Sequence, residues 1–559
     1  MHASQDPQGR LLLSGNEAIA LAAKHCGVHF ATGYPGTPSS EILDVFQSLG
    51  GKAQWAPNEK VAAEVALGAS FAKARVMVTM KHVGLNVAAD VLFTMTYSGM
   101  QGGYVLIVAD DPGMASSQNE QDSRRYAEAA VAPMFEPCDS QDAYDLLKIA
   151  FETSERWGIP VLYRITTRVC HSKSAVKPIC PPEQMPVDVY SPLLQFERNI
   201  AARVMVPGHA KPAHRKLREK MTEMEVWNNA HGPNRVENRS GDIGIITAGI
   251  CYHHAREAAT EASILRLAMT YPLPMEQIKN FVGSVKRCVV LEENDPWLAT
   301  ALRAAGLQVE SKNDAIFRFG EMNVERVRRI LRHDDSAELT PPRGKPPELC
   351  AGCPHRSSFE VLKELDCIVS GDIGCYTLAA LPPLSAMDMM IDMGAGIGMG
   401  LGLRHVLPEA EARKVVSVIG DSTFLHSGIT GLLEAAYNPP PTGHVVVILD
   451  NGTTAMTGQQ EHPGTGRKLN SDFTSRVSYE ALARAAGFPN VLVINPIRER
   501  EAFKDAVLQA LAKNELTLII AKSPCILAVS HIVAGEKERK IWENNGNCGC
   551  AKAEGKVVG

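Results

Sequence analysis

Short apolar runs alternate with longer amphipathic stretches through the first 190 residues of the chain. The runs at 30–32, 76–80 and 104–109 are rich in apolar and β-branched residues, which predicts buried strands. A turn-rich segment follows the first run, and a helix is predicted from Ser39 or Ser40. Strands that alternate with helices indicate βαβ units around a parallel sheet, whose ligands sit at the carboxyl ends of the strands.

The same alternation returns in two later blocks. Strands are predicted at 243–247 and 288–291 in the second block, and at 415–419 and 445–449 in the third. A charged stretch before the second block predicts a helix around 215–225 in a connector with a solvated face, and a proline-rich segment before the third block favours a linker. We therefore predict an α/β class of fold with a first domain at 1–190, a connector at 191–240, a second domain at 241–335, a linker at 336–348, a third domain at 349–533 and a tail at 534–559.

Composition narrows the class of protein. At about 150 residues per domain, 559 residues suggest three or four domains, and 45% hydrophobic with 21% charged residues excludes wholesale disorder. The net charge of −5 offers no basic field for nucleic acid, and thirteen cysteines are too few for a disulfide scaffold. With no run of 18 apolar residues and a polar segment at 1–10, we expect a cytoplasmic enzyme without membrane or nucleic-acid partners.

Two polar clusters follow consecutive predicted strands of the third domain. Gly420-Asp421-Ser422-Thr423 ends the first strand, and Asp450-Asn451-Gly452-Thr453 ends the second. One βαβ unit would bring the clusters together, and their carboxylate and amide oxygens suit a hard cation that also binds phosphate. A helix predicted near Ser427 would offer its N-terminus to an anion. On these residues alone, an ordinary strand–loop with surface polar groups remains the alternative.

The two clusters resemble the thiamine-diphosphate fingerprint, with Ser422 in the place of its second glycine. The resemblance implies that Asp421, Asn451 and the carbonyl of Thr453 hold Mg²⁺, and that Gly420 and Ser422 also lie at the cofactor.

Two further residues resemble cofactor-contacting positions of the thiamine superfamily. Glu59, nine residues before Gly68 and followed by an alanine-rich predicted helix, is similar to the glutamate that protonates the pyrimidine ring; Glu64 is its rival, and an ordinary surface helix is the alternative for either. Met393 precedes glycines that alternate, so a GxGxxG dinucleotide motif is excluded. Close helix packing is one interpretation of those glycines, while the resemblance makes Met393 the apolar support of the bent cofactor.

At the level of whole motifs, the chain resembles the large (alpha) subunit of indolepyruvate:ferredoxin oxidoreductase, within the 2-oxoacid:ferredoxin oxidoreductase group. The resemblance covers roughly 10–530 and rests on the segments 33–41, 81–86, 116–124, 349–356, 371–377, 420–424 and 450–458. It implies a thiamine-diphosphate-binding fold, with a pyrimidine domain first, a diphosphate domain third and a transketolase-C-like domain between them.

The same resemblance implies a reaction. An aryl 2-oxoacid is oxidatively decarboxylated to its acyl-CoA, with thiamine diphosphate and Mg²⁺ as cofactors and CoA as co-substrate. Thr37 matches a position near the substrate, and His82 is an acid/base or oxyanion-donor candidate with a structural role as the alternative. Arg124 or Arg125 would meet a carboxylate, or else form a loop salt bridge. A non-oxidative thiamine decarboxylase or lyase is the second hypothesis, and a regulatory subunit the third.

Four cysteines complete the resemblance. Cys350, Cys353, Cys375 and Cys525 are similar in spacing to ligands of a [4Fe–4S] cluster, whereas a lone CxxC would equally suggest zinc or a redox thiol. Beyond them only Cys548 and Cys550 follow, which cannot build the two-motif ferredoxin-like domain usual in the family. The resemblance thus implies a separate ferredoxin or flavoprotein for electron transfer, a small beta (gamma-type) subunit, and a hetero-oligomer containing a dimer of this chain.

Overall fold

The computed structural model describes residues 6, 8–187, 189–338 and 347–544. They belong to two units that divide after residue 340, and each unit is described by itself. Cys548, Cys550 and part of the predicted linker and tail lie outside the described residues. Within the described ranges, no helix is both long and apolar enough to cross a membrane.

The apolar runs of the first unit form the strands of three sheets among its described residues. Apolar side chains bury both faces of the central strands, as in the wholly buried run of the fourth strand. The strands are β1 (Leu11–Ser14), β2 (Phe30–Gly33), β3 (Ala53–Trp55), β4 (Val76–Lys81), β5 (Tyr104–Asp110), β6 (Met134–Phe135), β7 (Val161–Thr166), β8 (Lys173–Val176), β9 (Arg235–Glu237), β10 (Ile243–Ala248), β11 (Ser263–Leu267), β12 (Met269–Tyr271), β13 (Arg287–Leu291) and β14 (Glu310–Ser311).

The strand order of the first unit places its ligand-binding edge. A seven-stranded sheet has the order β12-β6-β7-β5-β4-β2-β3 and is parallel except for β12. A five-stranded sheet has the order β14-β13-β10-β11-β9 and is parallel except for β9, while β1 and β8 form an antiparallel pair. The carboxyl ends of β2, β4 and β5 therefore meet at one edge of the larger sheet.

Helices connect these strands. Those of the first unit are α1 (Gly15–His25), α2 (Glu41–Ser48), α3 (Glu59–Phe71), α4 (His82–Ser98), α5 (Arg124–Ala130), α6 (Ser140–Trp157), α7 (Thr167–His171), α8 (Ile200–Arg203), α9 (Pro207–His231), α10 (Cys251–Ala258), α11 (Met275–Gly283), α12 (Trp297–Ala304), α13 (Asp314–Phe317) and α14 (Val324–Arg332).

The second unit is built on one five-stranded, fully parallel sheet in its described part, with the order β15-β16-β17-β19-β18. Its strands are β15 (Ile368–Ser370), β16 (Val415–Gly420), β17 (His444–Asp450), β18 (Asn490–Ile494) and β19 (Leu516–Lys522). Its helices are α15 (Pro354–Glu364), α16 (Ala395–Val406), α17 (Glu409–Ala412), α18 (Asp421–Thr423), α19 (Ile429–Tyr437), α20 (Tyr479–Ala486), α21 (Arg500–Ala512) and α22 (Val529–Trp542), with 3₁₀ turns at Cys375–Ala380 and Ala455–Thr457.

The predicted strands are confirmed to within one residue at each end. Three other segments differ from expectation in their extent. The helix predicted around 215–225 is confirmed as part of the longer, 25-residue helix α9, which buries Leu217, Met224 and Asn228 against the rest of the unit. The helix predicted near Ser427 already begins at Asp421, because the chain turns directly from β16 into α18 and a π-helical turn at Phe424–Gly428. Helix α22 continues past residue 533, where the tail was predicted to start, to Trp542.

Candidate functional site

The loops after β16 and β17 meet, because these parallel strands are neighbours in register. Asp421 joins them. Its Oδ2 accepts the N–H of Gly452 at 2.9 Å, and its Oδ1 accepts the N–H of Ser422 at 2.8 Å. The hydroxyl of Thr454 donates to that of Ser422 at 2.9 Å and makes a second link between the loops. The structure thus brings together the two polar clusters that the sequence pattern predicted to converge.

Asn451 and Thr453 complete this edge of the sheet. Both are buried, and the N–H of Thr453 donates to Oδ1 of Asn451 at 3.1 Å. The amide nitrogen of Asn451 lies 3.3 Å from Nε2 of His355. Because an amide NH₂ can only donate, Nε2 of His355 is the acceptor, and burial keeps that ring neutral by lowering its pKa to about 4. His355 therefore fixes the orientation of the Asn451 amide.

A second carboxylate lies beside Asp421. Asp450, the last residue of β17, is 7% exposed. Burial, followed by the charge of Asp421, raises the pKa of Asp450 to about 6. Two buried carboxylates this close repel each other when both are charged, so the arrangement favours a bound cation. With the amide and carbonyl oxygens of Asn451 and Thr453, this donor set fits Mg²⁺.

The turn that carries Met393 is held by a buried carboxylate. Asp372 accepts the N–H groups of Gly394 at 2.9 Å and Gly396 at 2.9 Å, and burial raises its pKa to about 6. Gly394 has φ +97°, and a Cβ there would lie 2.5 Å from Cβ of Ser427. Met393 is half-buried at this turn. The close packing expected of the alternating glycines is confirmed at Gly394, where the chain leaves no room for a side chain.

The four predicted cluster cysteines converge at the same end of the second unit. Cys353, Cys375 and Cys525 are half-buried and Cys350 is exposed. Burial, then the charges of Cys353, Cys525 and Cys350, raises the pKa of the Cys375 thiol to about 11. These described thiols are not among the groups whose ligand atoms lie within 4.8 Å of one another. That spacing is wider than one tetrahedral zinc ion requires of its ligands.

The cysteine loops contact the metal-site loop through the backbone. The N–H of Cys525 donates to the carbonyl of Asn451 at 2.9 Å. A Cβ on Gly352, between the first two cysteines, would lie 3.0 Å from the side chain of Ile526. The segments around Cys350, Asn451 and Cys525 therefore pack as one assembly.

In the first unit, the two rival glutamates have opposite environments. Glu59 is the first residue of α3, is 4% exposed, and follows Asn58, whose side chain caps the helix by accepting the N–H of Val61 at 2.9 Å. A Cβ on Gly84 would lie 2.4 Å from Oε1 of Glu59, so the glycine makes room for the carboxyl group. Glu64 is exposed and pairs with Lys60. Only Glu59 has the buried carboxyl that an apolar ring requires.

His82 and Lys81 lie at the carboxyl end of β4. His82 is wholly buried; its Nε2 lies 3.2 Å from the carbonyl of Asn119, and its Nδ1 has no hydrogen-bond partner in the described structure. Lys81, for which the sequence pattern predicted no role, donates from Nζ to the carbonyl of Ser116 at 2.7 Å, and burial lowers its pKa to about 8. Thr37 is half-buried in the loop after β2.

Arg124 belongs to the protein interior. Its guanidinium donates to Asp122 at 2.8 Å and to Glu292 at 2.7 Å, and it is 2% exposed. The salt-bridge alternative is therefore the observed one for Arg124, while Arg125 is exposed.

The sequence pattern placed Asp450 in the second polar cluster but predicted no role for it, and it gave no signal for His355 or Asp372. Asp372 and His355 stood in segments that carried the family resemblance, but their partners lie far away along the chain. Asp450 directly precedes Asn451, so its position at a strand end was the available signal.

Family models match both units. The model for the thiamine diphosphate-binding part of pyruvate flavodoxin/ferredoxin oxidoreductase matches residues 21–236, and that for the C-terminal TPP-binding domain of thiamine pyrophosphate enzymes matches 372–521. The fold and these matches define the class: the chain is a thiamine diphosphate-dependent 2-oxoacid oxidoreductase subunit. The predicted α/β thiamine-diphosphate fold is confirmed.

Curated relatives then identify the family. Indolepyruvate oxidoreductase subunit IorA of Archaeoglobus fulgidus is 40% identical over 96% of this chain and 90% of its own length, and that of Methanothermobacter thermautotrophicus is 37% identical over 93% and 87%. A solved 2-oxoglutarate:ferredoxin oxidoreductase from Magnetococcus marinus superposes with a TM-score of 0.49 at 18% identity, covering 59% of this chain and 66% of its own. The chain belongs to the indolepyruvate oxidoreductase IorA family, and oxidative decarboxylation of a 2-oxoacid is the reaction of its class.

Proposed function

We propose that this chain is the catalytic subunit that oxidatively decarboxylates an aryl 2-oxoacid such as indolepyruvate, forming CO₂ and an acyl-CoA. The observation that carries this proposal is the convergence of Asp421, Asn451 and Thr453 at the ends of two neighbouring parallel strands. The relatives named indolepyruvate oxidoreductase support the aryl substrate.

In this proposal the second unit holds Mg²⁺ and the diphosphate of the cofactor. Asp421, Asn451 and the Thr453 carbonyl supply the metal's oxygen ligands, and Gly420 and Ser422 line the diphosphate. His355 holds the Asn451 amide so that its oxygen faces away from the histidine. Met393 supports the cofactor from a turn that Asp372 fixes. The bound cofactor supplies the carbanion and electron-sink chemistry of decarboxylation.

The first unit supplies the proton chemistry. Glu59, whose carboxyl group is buried in the space that Gly84 leaves for it, would exchange a proton with the pyrimidine ring of the cofactor. His82 is fixed at the start of α4 by the Asn119 carbonyl, and its buried ring serves as a hydrogen-bonding group near the substrate. Thr37, half-buried in the loop after β2, contacts the substrate.

Four cysteines of the second unit provide the route for the electrons. Cys350, Cys353, Cys375 and Cys525 would hold a [4Fe–4S] cluster, a group that supplies one-electron transfer chemistry. A separate ferredoxin or flavoprotein then takes the electrons, and a small beta (gamma-type) subunit joins a dimer of this chain in the hetero-oligomer. The relatives' designation as subunits supports an assembly of several chains.

The Mg²⁺ and cofactor site is tested by Asp421→Asn. We expect the variant to lose most of its affinity for thiamine diphosphate with Mg²⁺, because the cation loses a charged ligand. Isothermal titration of the anaerobically purified complex measures that affinity, and Asp366→Asn, at a carboxylate whose side chain is 88% exposed, is the control. Unchanged affinity in Asp421→Asn would contradict the proposed site.

The cluster is tested by iron content. We expect wild-type chain purified without oxygen to absorb in the visible range with about four irons per chain. Cys353→Ser loses both signals, whereas Cys367→Ser, at a half-buried cysteine outside the proposed set, keeps them. A colourless, iron-free wild-type protein that still decarboxylates would support the non-oxidative alternative.

The proposed substrate preference is tested by measuring the product. Acyl-CoA formation is measured with indolepyruvate, phenylpyruvate and phenylglyoxylate and an artificial electron acceptor. We expect indolepyruvate to give the highest kcat/KM. Equal or greater turnover of an aliphatic 2-oxoacid would contradict the aryl preference.

A further inference from the structure

Two buried polar groups lie near Asp421 and Asp450, the carboxylates that follow β16 and end β17, and neither donates a hydrogen bond within the described residues. The first belongs to His462, which is 6% exposed. Its Nδ1 accepts the N–H of Gly464 at 3.2 Å, so the neutral ring carries its proton on Nε2. That Nε2 lies 3.4 Å from Oδ2 of Asp421 but makes no hydrogen bond within the described structure.

The second group is the hydroxyl of Tyr479, which is also buried without a hydrogen-bond partner among the described residues. Its ring packs edge-on against Phe424, with 5.9 Å between ring centres. Burial, then the charges of Asp421 and Asp450, raises its pKa, so the phenol keeps its proton and remains a hydrogen-bond donor.

Because Gly464 has no side chain, the rings of His462 and Tyr479 can approach each other beside it. A Cβ there would lie 1.9 Å from the Tyr479 oxygen and 2.8 Å from Cε1 of His462. The two rings therefore converge around a residue without a side chain, although they lie in different segments of the chain. The packing of two buried rings around one glycine therefore fixes the positions of both polar groups, unlike the side chain of a surface histidine.

Leaving a buried donor without an acceptor costs folding free energy, and native proteins rarely keep such groups without a reason. Here two donors lie beside two buried carboxylates. Carboxylates attract a cation, and hydrogen-bond donors attract an anion. A cation that carries an anion with it, such as Mg²⁺ with a diphosphate, satisfies both sets of groups.

We propose that His462, through its Nε2–H, and Tyr479, through its hydroxyl, bind the diphosphate of the cofactor at this site. The inference rests on the proposed function, which puts the metal and diphosphate at Asp421. It adds two binding residues that lie outside the sequence motif. Each makes a hydrogen bond to a charged acceptor that exists only when the cofactor is bound.

The test compares cofactor affinity with the stability of the cofactor-free protein. In His462→Leu we expect the Kd for thiamine diphosphate with Mg²⁺ to rise about 10- to 100-fold, the loss of one hydrogen bond to a charged group. The Kd for thiamine, which has no phosphate, remains unchanged, and the unfolding midpoint of the cofactor-free protein is unchanged or higher. His462→Gln, which retains an N–H donor, recovers most of the affinity, and His405→Leu, at an exposed histidine, is the control.

If His462→Leu does not fold, Tyr479→Phe provides a second measurement of cofactor affinity. We expect a several-fold higher Kd for thiamine diphosphate without loss of stability in the cofactor-free protein. A purely structural role predicts the opposite: a lower unfolding midpoint and an unchanged Kd for thiamine diphosphate in both variants. That outcome would overturn the inference.

Asp421→Asn separates this inference from the proposed function. If Asp421→Asn loses cofactor affinity while His462→Leu, His462→Gln and Tyr479→Phe keep it, the inference fails and the proposed function stands. If Asp421→Asn also keeps full affinity, the site is not where the cofactor binds, and both fail.

Discussion

Several histidines of this chain are held in the neutral form by burial. Burial lowers the pKa of His25 to about 4, and it lowers that of His444 well below the usual value. His25 lies in α1, where its Nδ1 is 2.6 Å from the Tyr144 hydroxyl and its Nε2 is 3.6 Å from the sulfur of Cys180. Such a ring contributes to stability only while it is uncharged.

The pKa of His25 predicts a loss of stability in acid. The ring has a pKa near 6.5 in the unfolded chain and about 4 in the folded chain. Between these pH values the unfolded chain binds a proton that the folded chain does not bind, so a falling pH favours unfolding. The stabilisation is complete above pH 6.5 and is lost toward pH 4. The free energy of unfolding should fall between pH 7.5 and pH 5, and in His25→Asn we expect that fall to be about 1 kcal/mol smaller than in wild type. The value is kept low because the Cys180 side of the ring is partly solvated.

Urea unfolding of wild type and variant at the two pH values measures this difference. His231→Asn, at an exposed histidine, is the control and should fall like wild type. A steeper loss in His25→Asn than in wild type would contradict the sign of the argument.

The roles of individual residues could be predicted from the sequence to different extents. Asp421 and Asn451 were predictable because strands end in polar clusters at a ligand-binding edge. His355 and His462 were not, because each acts through a partner distant in sequence and a lone histidine carries no spacing signal. Arg124 left two alternatives open, and its burial with Asp122 and Glu292 decided between them.

At the scale of elements, the packing of helix α16 against the sheet explains the alternation of its glycines. A Cβ on Gly400 would lie 2.2 Å from the hydroxyl oxygen of Ser417 on β16, whereas a Cβ on Gly398 meets nothing within 4 Å. The Ser417 hydroxyl donates to the Gly396 carbonyl at 2.8 Å and lies 2.8 Å from Nε2 of His444. One face of the helix therefore sits almost directly on the sheet.

This asymmetry predicts opposite effects for two alanine substitutions in one helix. Gly400→Ala should lower the free energy of unfolding by about 1–3 kcal/mol, because the new methyl group displaces the helix from the sheet. Gly398→Ala should raise it by about 0.5–1 kcal/mol, since alanine favours the helix and has room there. Urea unfolding of the two variants measures both changes, and destabilisation by both to the same extent would contradict the packing argument.

Element boundaries were predicted best where a buried parallel strand fixes them. The strands are continuous apolar runs, so their ends were visible within a residue. The start of the helix after β16 was not, because Asp421 to Gly428 pass through a short helix and a π-helical turn that no apolar period marks. In the charged segment before β10 a helix was predictable but its full length was not, since only four residues of α9 are buried and no apolar period marks its ends.

At the scale of the whole molecule, a buried ionic network joins the two larger sheets of the first unit. Arg164 of β7 donates to Asp110 at 2.6 Å, to Glu136 at 2.5 Å and to Asn294 at 2.7 Å, the last of these beyond the end of β13. Arg124 makes the parallel link to Glu292, which accepts N–H groups at the start of α12. These charges fix the two α/β layers of this unit to each other.

The network predicts a large effect of one arginine and a small effect of another. Arg164→Met leaves buried carboxylates without their counter-charge and should cost about 3–5 kcal/mol of unfolding free energy. Arg168→Met removes a partly exposed pair with Glu321 and should cost about 1 kcal/mol or less. Urea unfolding compares them, and a loss below about 1 kcal/mol in Arg164→Met would mean that the network is not structural.

The hydrogen bond from Cys525 to the Asn451 carbonyl gives oxygen damage a second consequence. If the proposed iron–sulfur cluster is bound, its destruction by air would free the Cys525 segment, and with it the peptide that holds Asn451 in place. We therefore expect aerobic inactivation to progress from loss of electron flow to loss of the vitamin-derived cofactor. An air-damaged enzyme would then need iron and sulfide together with thiamine diphosphate to be restored, and supplying only the cluster components or only the cofactor would leave it inactive.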